Sequence, residues 1–227
     1  MTRTSAVFFD VDFTLIHPGP RFQASGYEAC CARHGITADP FRFDAAVAGA
    51  GEVLESADEL YDVDLYVRYT ARIIELMGGE GPGVERAARE LYDDWAEHHH
   101  FSLYDDVVET LHALRDRRIR MGLISNSQRC LRSFQSHFEL DGLLAVTVSS
   151  TDHQCMKPHP DLFRAALGLM KVSADEAMMV GDSIRHDVVG AQSVGIRPVL
   201  LARGGQLPDP GPDVAVIRTL RELPALL

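Results

Sequence analysis

The stretch AVFFDVDFTLIHPG, residues 6–19, decides how the rest of the chain is read. Its apolar opening, Ala6 to Phe9, is continuous and rich in strand formers, which predicts a strand buried on both faces. The run then meets Asp10 and Asp12. On an extended backbone, residues two apart point to the same side, with roughly 7 Å between their Cα atoms. Carboxylates so placed are rarely buried without a partner, so a cation, a proton or open water has to accompany them. Taken alone, the stretch is equally a strand that surfaces into a polar loop.

The whole chain narrows the choice. Its 227 residues suit one large domain, or a core domain with a smaller insert. A net charge of -11 speaks against nucleic acid or anionic membranes as partners, because both are held by fields of Lys and Arg. A small anionic substrate stays open, since a local cation or a helix N-terminus overrides the net field. Cys30, Cys31, Cys130 and Cys155 form no CxxC pair, and the expectation is reduced thiols in a cytoplasmic protein. The first apolar run is too short for a signal peptide, and no segment reaches the length that spans a bilayer. The expected oligomeric state is monomer or homodimer.

From Leu103 onward, helical and strand patterns alternate. LYDDVVETLHALRDRR places Val107, Leu111 and Leu114 at helical spacing, and IRMGLISN follows as a strand ending in small polar residues. SQRCLRSFQSHF, HPDLFRAALGLM and HDVVGAQSVG read as helices, with LLAVTVSS, AMMVGDS and RPVLLA as the strands between and after them. Such alternation predicts an α/β, Rossmann-like core: a mostly parallel sheet with helices on both faces. Residues 21–100 break the rhythm. RFQASGYEACCARHG, LYVRYTARIIELMGG and VERAARELYDDWAEHHH are helical, with no convincing strand among them. The expected organisation is an α/β core of residues 1–20 and 101–227, with residues 21–100 as a helical insert.

In open α/β sheets, ligands bind outside the carboxyl ends of the strands. Those ends carry Asp10 and Asp12, then Ser125 and Asn126, then Asp182 with Asp187 five residues on; Lys157 stands just before a helix opened by two prolines. Singly, each has an ordinary explanation as cap, turn or solvated surface residue. Together and in this order, DVDFT, SN, KP and GDSIRHD resemble the four motifs of the haloacid dehalogenase superfamily. The resemblance covers essentially the whole chain, the helical insert being similar to the small helical cap of that family. One departure is Phe13, where phosphatase members usually have Gly in the tight turn.

The resemblance implies a Mg²⁺ ion, a hard cation that takes oxygen ligands and shares a substrate phosphate oxygen. It would be held by Asp10, Asp182 and the main-chain carbonyl of Asp12, with Asp187 bound directly or supporting a ligand. Without the cation, two carboxylates about 5 Å apart repel by roughly 3 kcal/mol at an effective dielectric near 20. Asp10 is then the implied nucleophile. Asp12 is the implied acid and base, its proton affinity raised by the neighbouring carboxylate. Ser125, the Asn126 backbone N–H and Lys157 would hold the phosphoryl oxygens. Dehalogenases of the family typically lack an acid at residue 12, so Asp12 favours hydrolysis of a small phosphorylated metabolite. A phosphomutase, a 2-haloacid dehalogenase and a non-catalytic phosphate- or protein-binding member are the alternatives.

Other polar residues carry less. His98–His100 point in different directions on a helix and cannot easily close on one ion. Trp95, Tyr92 and Leu91 read as core of the insert, and Cys155 as a small buried thiol. His17, Arg21 and Phe22, just after the first motif, are weak candidates for substrate contact.

Overall fold

All four residues of β1 (Ala6–Phe9) are buried, because strands lie against it on both sides. In the computed structural model, which describes residues 3–55, 60–204 and 209–227, β1 is central in a six-stranded sheet. Two three-residue strands, β2 (Ile16–Pro18) and β3 (Phe101–Leu103), form a small sheet of their own. The large sheet continues with β4 (Arg120–Ser125), β5 (Leu144–Ser149), β6 (Ala177–Gly181), β7 (Arg197–Leu201) and β8 (Ala215–Ile217). Its order is β5-β4-β1-β6-β7-β8, with parallel pairings throughout. Counted over those strands alone, this is the 3-2-1-4-5-6 order of a doubly wound fold, whose switch point lies between β1 and β6.

The helices are α1 (Ala24–Arg33), α2 (Phe43–Glu55), α3 (Leu65–Leu76), α4 (Gly83–Trp95), α5 (Val107–Asp116), α6 (Leu131–His137), α7 (Ser150–His153), α8 (Pro160–Met170) and α9 (Gly190–Ser193). Strand side chains alternate between the two faces of a sheet. On one face Ala6, Phe8 and Ile124 meet Leu162, Phe163 and Met170 of α8. On the other, α5 packs against β4 and the Leu220–Ala225 turn. Phe8, Phe9 and Phe163 are fully enclosed. Truncating such a ring costs about 3–5 kcal/mol.

The chain divides into two compact units, Met1–His17 with Leu103–Leu227, and Pro18–Ser102. The crossings lie at 17/18 and 102/103, against the 20/21 and 100/101 read from the sequence. The difference is β2 and β3, strands too short to leave a pattern. The sheet unit is the α/β, Rossmann-like core. The second unit is built from α1 to α4, and α2 is an element the sequence pattern does not reveal. Its FDAAVAGAGEVLE carries Gly49 and Gly51 in mid-segment, and glycine is a poor helix former. The small residues serve close packing: a Cβ on Gly49 would stand 3.1 Å from Leu76 Cδ1 of α3. Leu91 and Tyr92 are core residues, and Trp95 packs its ring against Phe22 and Phe101, at centroid distances of 4.5 and 5.0 Å. No helix among the described residues is long and apolar enough to cross a membrane.

A charged hub ties α1 to α4 within this unit. Glu90 accepts from Arg21 at 2.8 Å and from Arg33, and its second oxygen lies 2.7 Å from His34 Nε2. Cys30 lies close enough to His34 and Glu90 to suggest a metal site, but the Arg21 and Arg33 guanidiniums already supply the positive charge there. Burial works against the Glu90 carboxylate; the Arg33 and His34 hydrogen bonds and the charges of Arg33 and Arg21 outweigh it and hold the pKa at about 2. A carboxyl depressed in this way stabilises the fold above its ordinary pKa of 4.5 and loses that contribution as the pH falls through about 2. With the side chain 33% exposed, screening keeps the effect small. Glu90→Gln is expected to cost about 1 kcal/mol at pH 7, and the gap should close near pH 2. Urea titrations at the two pH values check this; an equal deficit at both would assign the effect to packing.

Candidate active site

The ladder between β1 and β6 continues one residue past β1, the Asp10 N–H donating to the Val180 carbonyl at 2.9 Å. That fixes Asp10, buried, at the switch point. Oxygens of Asp10, Asp182 and Asp187 lie within 4.8 Å of one another. Asp187 reaches this group from a π-helical segment, Ile184–Val189, after β6 because residue 181 is glycine. A Cβ there would stand 2.2 Å from the Asp187 carboxyl carbon, closer than any real contact. The second Asp187 oxygen accepts from the Ser183 N–H at 3.0 Å.

Lys157 enters from the segment before α8 and is itself buried. Its Nζ donates to Asp10 Oδ1 at 2.5 Å and to Asp187 Oδ1 at 2.7 Å. The Asn126 side chain brackets the main chain of Lys157: Nδ2 donates to its carbonyl at 3.0 Å, and Oδ1 accepts its N–H at 2.7 Å. The amide side chain of the SN motif thus orients the lysine and leaves the Asn126 N–H for a ligand. Ser125 Oγ, at the end of β4, is buried without a hydrogen-bond partner. An enclosed hydroxyl left unpaired costs about 1–3 kcal/mol, a cost that a bound oxyanion would remove.

The electrostatics show a site short of positive charge. Burial raises Asp10, and Asp187 and Asp12 add to this against the pull of Lys157, bringing its pKa to about 7. Asp182 reaches solvent, yet the protein packed around it and the charges of Asp10 and Asp187 raise it to about 8. Burial works to lower the Lys157 ammonium, but contact with Asp10 and Asp187 prevails and its pKa lies above the usual range. Burial and the charge of Lys157 push His186 down to about 4, so the imidazole is neutral at pH 7. An all-oxygen donor set with surplus protons is what a hard divalent cation fits.

Asp12 stands apart from the three grouped carboxylates. Its Oδ1 accepts from Nη1 of Arg129 at 2.9 Å, so a cation stands beside it in addition to the neighbouring Asp10 carboxylate, whose pKa the Asp12 charge helps to raise. Phe13 adopts φ 61°, the left-handed conformation that glycine usually supplies, and the residue is 44% exposed. For an L-residue that conformation costs roughly 1–2 kcal/mol. In this turn the Phe13 N–H donates to the Ile16 carbonyl at 2.8 Å. Behind it, Arg203 donates to the Thr14 carbonyl at 2.7 Å and pairs with buried Asp106.

The weak candidates have other occupations. His17 lies against the Tyr104 ring at 5.0 Å, Arg21 pairs with Glu90 and Asp94, and Phe22 is in the aromatic cluster. Cys155 packs in the core under α8. Three contributors escaped the sequence reading: Arg129, the Asn126 side chain, and Gly181 as the space for Asp187. Only Arg129 left a trace, as a basic residue three positions beyond the SN motif.

Comparison with known proteins agrees with this architecture. The chain is 33% identical over 110 residues to the pyrophosphatase PpaX of Bacillus cereus, a match covering 47% of this chain and 50% of that protein. The chain therefore spans about half the length of the curated relatives it matches. A HAD phosphatase structure from Thermococcus onnurineus superposes with a TM-score of 0.68 at 27% identity, covering 98% of this chain and 97% of that one. A 2-haloacid dehalogenase structure from Pseudomonas syringae gives 0.64 at 24%, over the same shares of the two chains, and shares the fold. The family model for haloacid dehalogenase-like hydrolases matches residues 4–195. With Asp10 at the switch point of the sheet and the later motifs gathered around it, this chain belongs to the haloacid dehalogenase-like hydrolases.

Proposed function

We propose that the chain is a Mg²⁺-dependent phosphatase of a small phosphorylated metabolite, acting through an aspartyl-phosphate on Asp10. The observation that carries this reading is a second carboxylate, Asp12, anchored two residues beyond Asp10 and apart from the grouped acids. Displacing a halide needs no acid at that place; expelling an alkoxide does. Side-chain oxygens of Asp10, Asp182 and Asp187, with the Asp12 carbonyl, would hold the cation. When bound, it neutralises the acidic group and withdraws charge from a phosphoryl oxygen.

The chain's own residues do the rest. An Asp10 oxygen bonds to phosphorus as the ester bond breaks, and Asp12 gives its proton to the departing oxygen. Asp12 then takes a proton from water, which bonds to phosphorus as the Asp10–phosphorus linkage breaks, releasing phosphate. Lys157, Ser125 Oγ and the Asn126 N–H stabilise the equatorial oxygens where charge accumulates. We assign substrate choice to residues 21–100, read as a cap of the family type.

A panel of phosphorylated metabolites and a phosphoanhydride, assayed with Mg²⁺, tests the reading. Turnover should vanish with a chelator and return with Mg²⁺, and Asp182→Asn should shift the Mg²⁺ titration at least about tenfold upward, as ligand losses do. Full activity in excess chelator removes the metal role. Turnover of 2-haloacids but of no phosphoester would make the chain a dehalogenase.

A further inference from the structure

Arg129 belongs to the segment after β4, yet its side chain is fully enclosed, at 0% exposure. Burying a guanidinium costs several kcal/mol unless its surroundings return it, so an arginine kept there is held for its contacts. The segment is braced: the Ser127 hydroxyl accepts the Arg129 N–H at 3.0 Å, and Thr151 Oγ1 donates to the Ser127 carbonyl at 2.9 Å. From that support, Nη1 of Arg129 reaches the turn after the neighbouring strand β1 and donates to Asp12 Oδ1 at 2.9 Å.

The geometry points to Arg129 as the positioning residue of Asp12: it fixes Oδ1 and so assigns proton transfer to Oδ2. A proton on Oδ1 would confront a guanidinium N–H, which accepts nothing. Oδ2 therefore carries the proton, gives it to the leaving oxygen, and recovers one from water. The carboxylate also loses the freedom to swing about its own axis, and a misplacement of 1 Å is worth about 10²-fold in rate. The inference rests on the reading of Asp12 as acid and base.

The test compares Arg129→Gln and Arg129→Lys, each alone and combined with Asp12→Asn. Arg129→Lys keeps the charge without the planar fork, and serves if Arg129→Gln does not fold. With an alkyl phosphate, kcat should fall about 10²-fold in either variant with little change in KM. With an aryl phosphate, whose leaving group needs less protonation, the loss should be about tenfold smaller. Added to Asp12→Asn, the Arg129 change should alter kcat by no more than about twofold, since the proton whose transfer it positions is gone. Equal losses on both esters, or the full loss again in the Asp12→Asn background, would overturn the positioning role. Urea unfolding of a cycle built on Arg129→Gln and Asp12→Ala, which leaves Arg129 no side-chain acceptor, separates this from the phosphatase reading. The pair should be coupled by about tenfold in the folding constant. Additive effects would refute the anchoring even in an active enzyme. If the wild type hydrolyses no phosphoester, the phosphatase reading falls, and the unfolding cycle still decides whether Arg129 fixes Asp12.

Discussion

Asp10→Asn is expected to leave no measurable turnover and no phosphorylated protein, a fall on the order of 10⁵-fold or more, as for other lost nucleophiles. Asp12→Asn should behave differently, because the nucleophile remains. Its amide oxygen can still accept from Arg129, so the turn keeps its geometry while the proton is lost. With an alkyl phosphate the fall should be about 10²–10⁴-fold. With an aryl phosphate the first step should proceed and the second should stall for want of a base. Phosphorylated protein should therefore accumulate in Asp12→Asn and survive a rapid acid quench, with labelled phosphate recovered on Asp10. Label on Asp12, or turnover in Asp10→Asn, would mean that the two carboxylates have the opposite roles.

Lys157→Met should have the next largest effect. Methionine fills a similar volume but leaves Asp10 and Asp187 without the ammonium that now touches both. Loss of a donor to the phosphoryl oxygens alone predicts a fall on the order of 10³-fold in kcat. Stability should suffer as well, by about 3–5 kcal/mol at neutral pH, because two buried carboxylates lose their counter-charge. The pH dependence has a definite sign. Asp10 already titrates near 7 with the lysine present, and removing a cation raises it further. A carboxyl whose folded pKa is raised binds more protons folded than unfolded, so stability falls as the pH climbs from about 4 upward. The deficit of Lys157→Met should thus be small near pH 5 and large near pH 8. Denaturant titrations of both proteins at those pH values decide the matter; a deficit independent of pH would place Lys157 away from the acids.

Much of this was legible in the sequence because a parallel sheet buries its strands, so a polar residue ending an apolar run is conspicuous. Asp10, Asp182 and Ser125 could be found by that rule, and Lys157 by its place before a helix opened by two prolines. What stayed hidden depends on contacts between distant segments. Arg129 lies in SQRCLRSF, which reads as the start of a surface helix, and its burial follows from how that segment is braced against α7. From the sequence only the N–H of Asn126 has a role; that both polar ends of its side chain bind the main chain of Lys157 shows only in the structure. Gly181 reads as part of the strand AMMVGDS, since nothing local shows that Asp187 occupies the space a methyl would need. In the helical unit, α2 stays hidden because Gly49 and Gly51 weaken the helical propensity of its segment.

The chain contains one tryptophan, Trp95, and it stands in the aromatic cluster of the Pro18–Ser102 unit. Intrinsic emission excited at the indole band therefore reports on that unit and is silent about the sheet that carries Asp10. Far-ultraviolet dichroism samples both. Followed together through a denaturant series, the two signals ask whether the halves melt as one cooperative body or in succession. Coincident curves would license a single unfolding free energy for every variant named above; separated curves would require each variant to be read by the probe native to its own half.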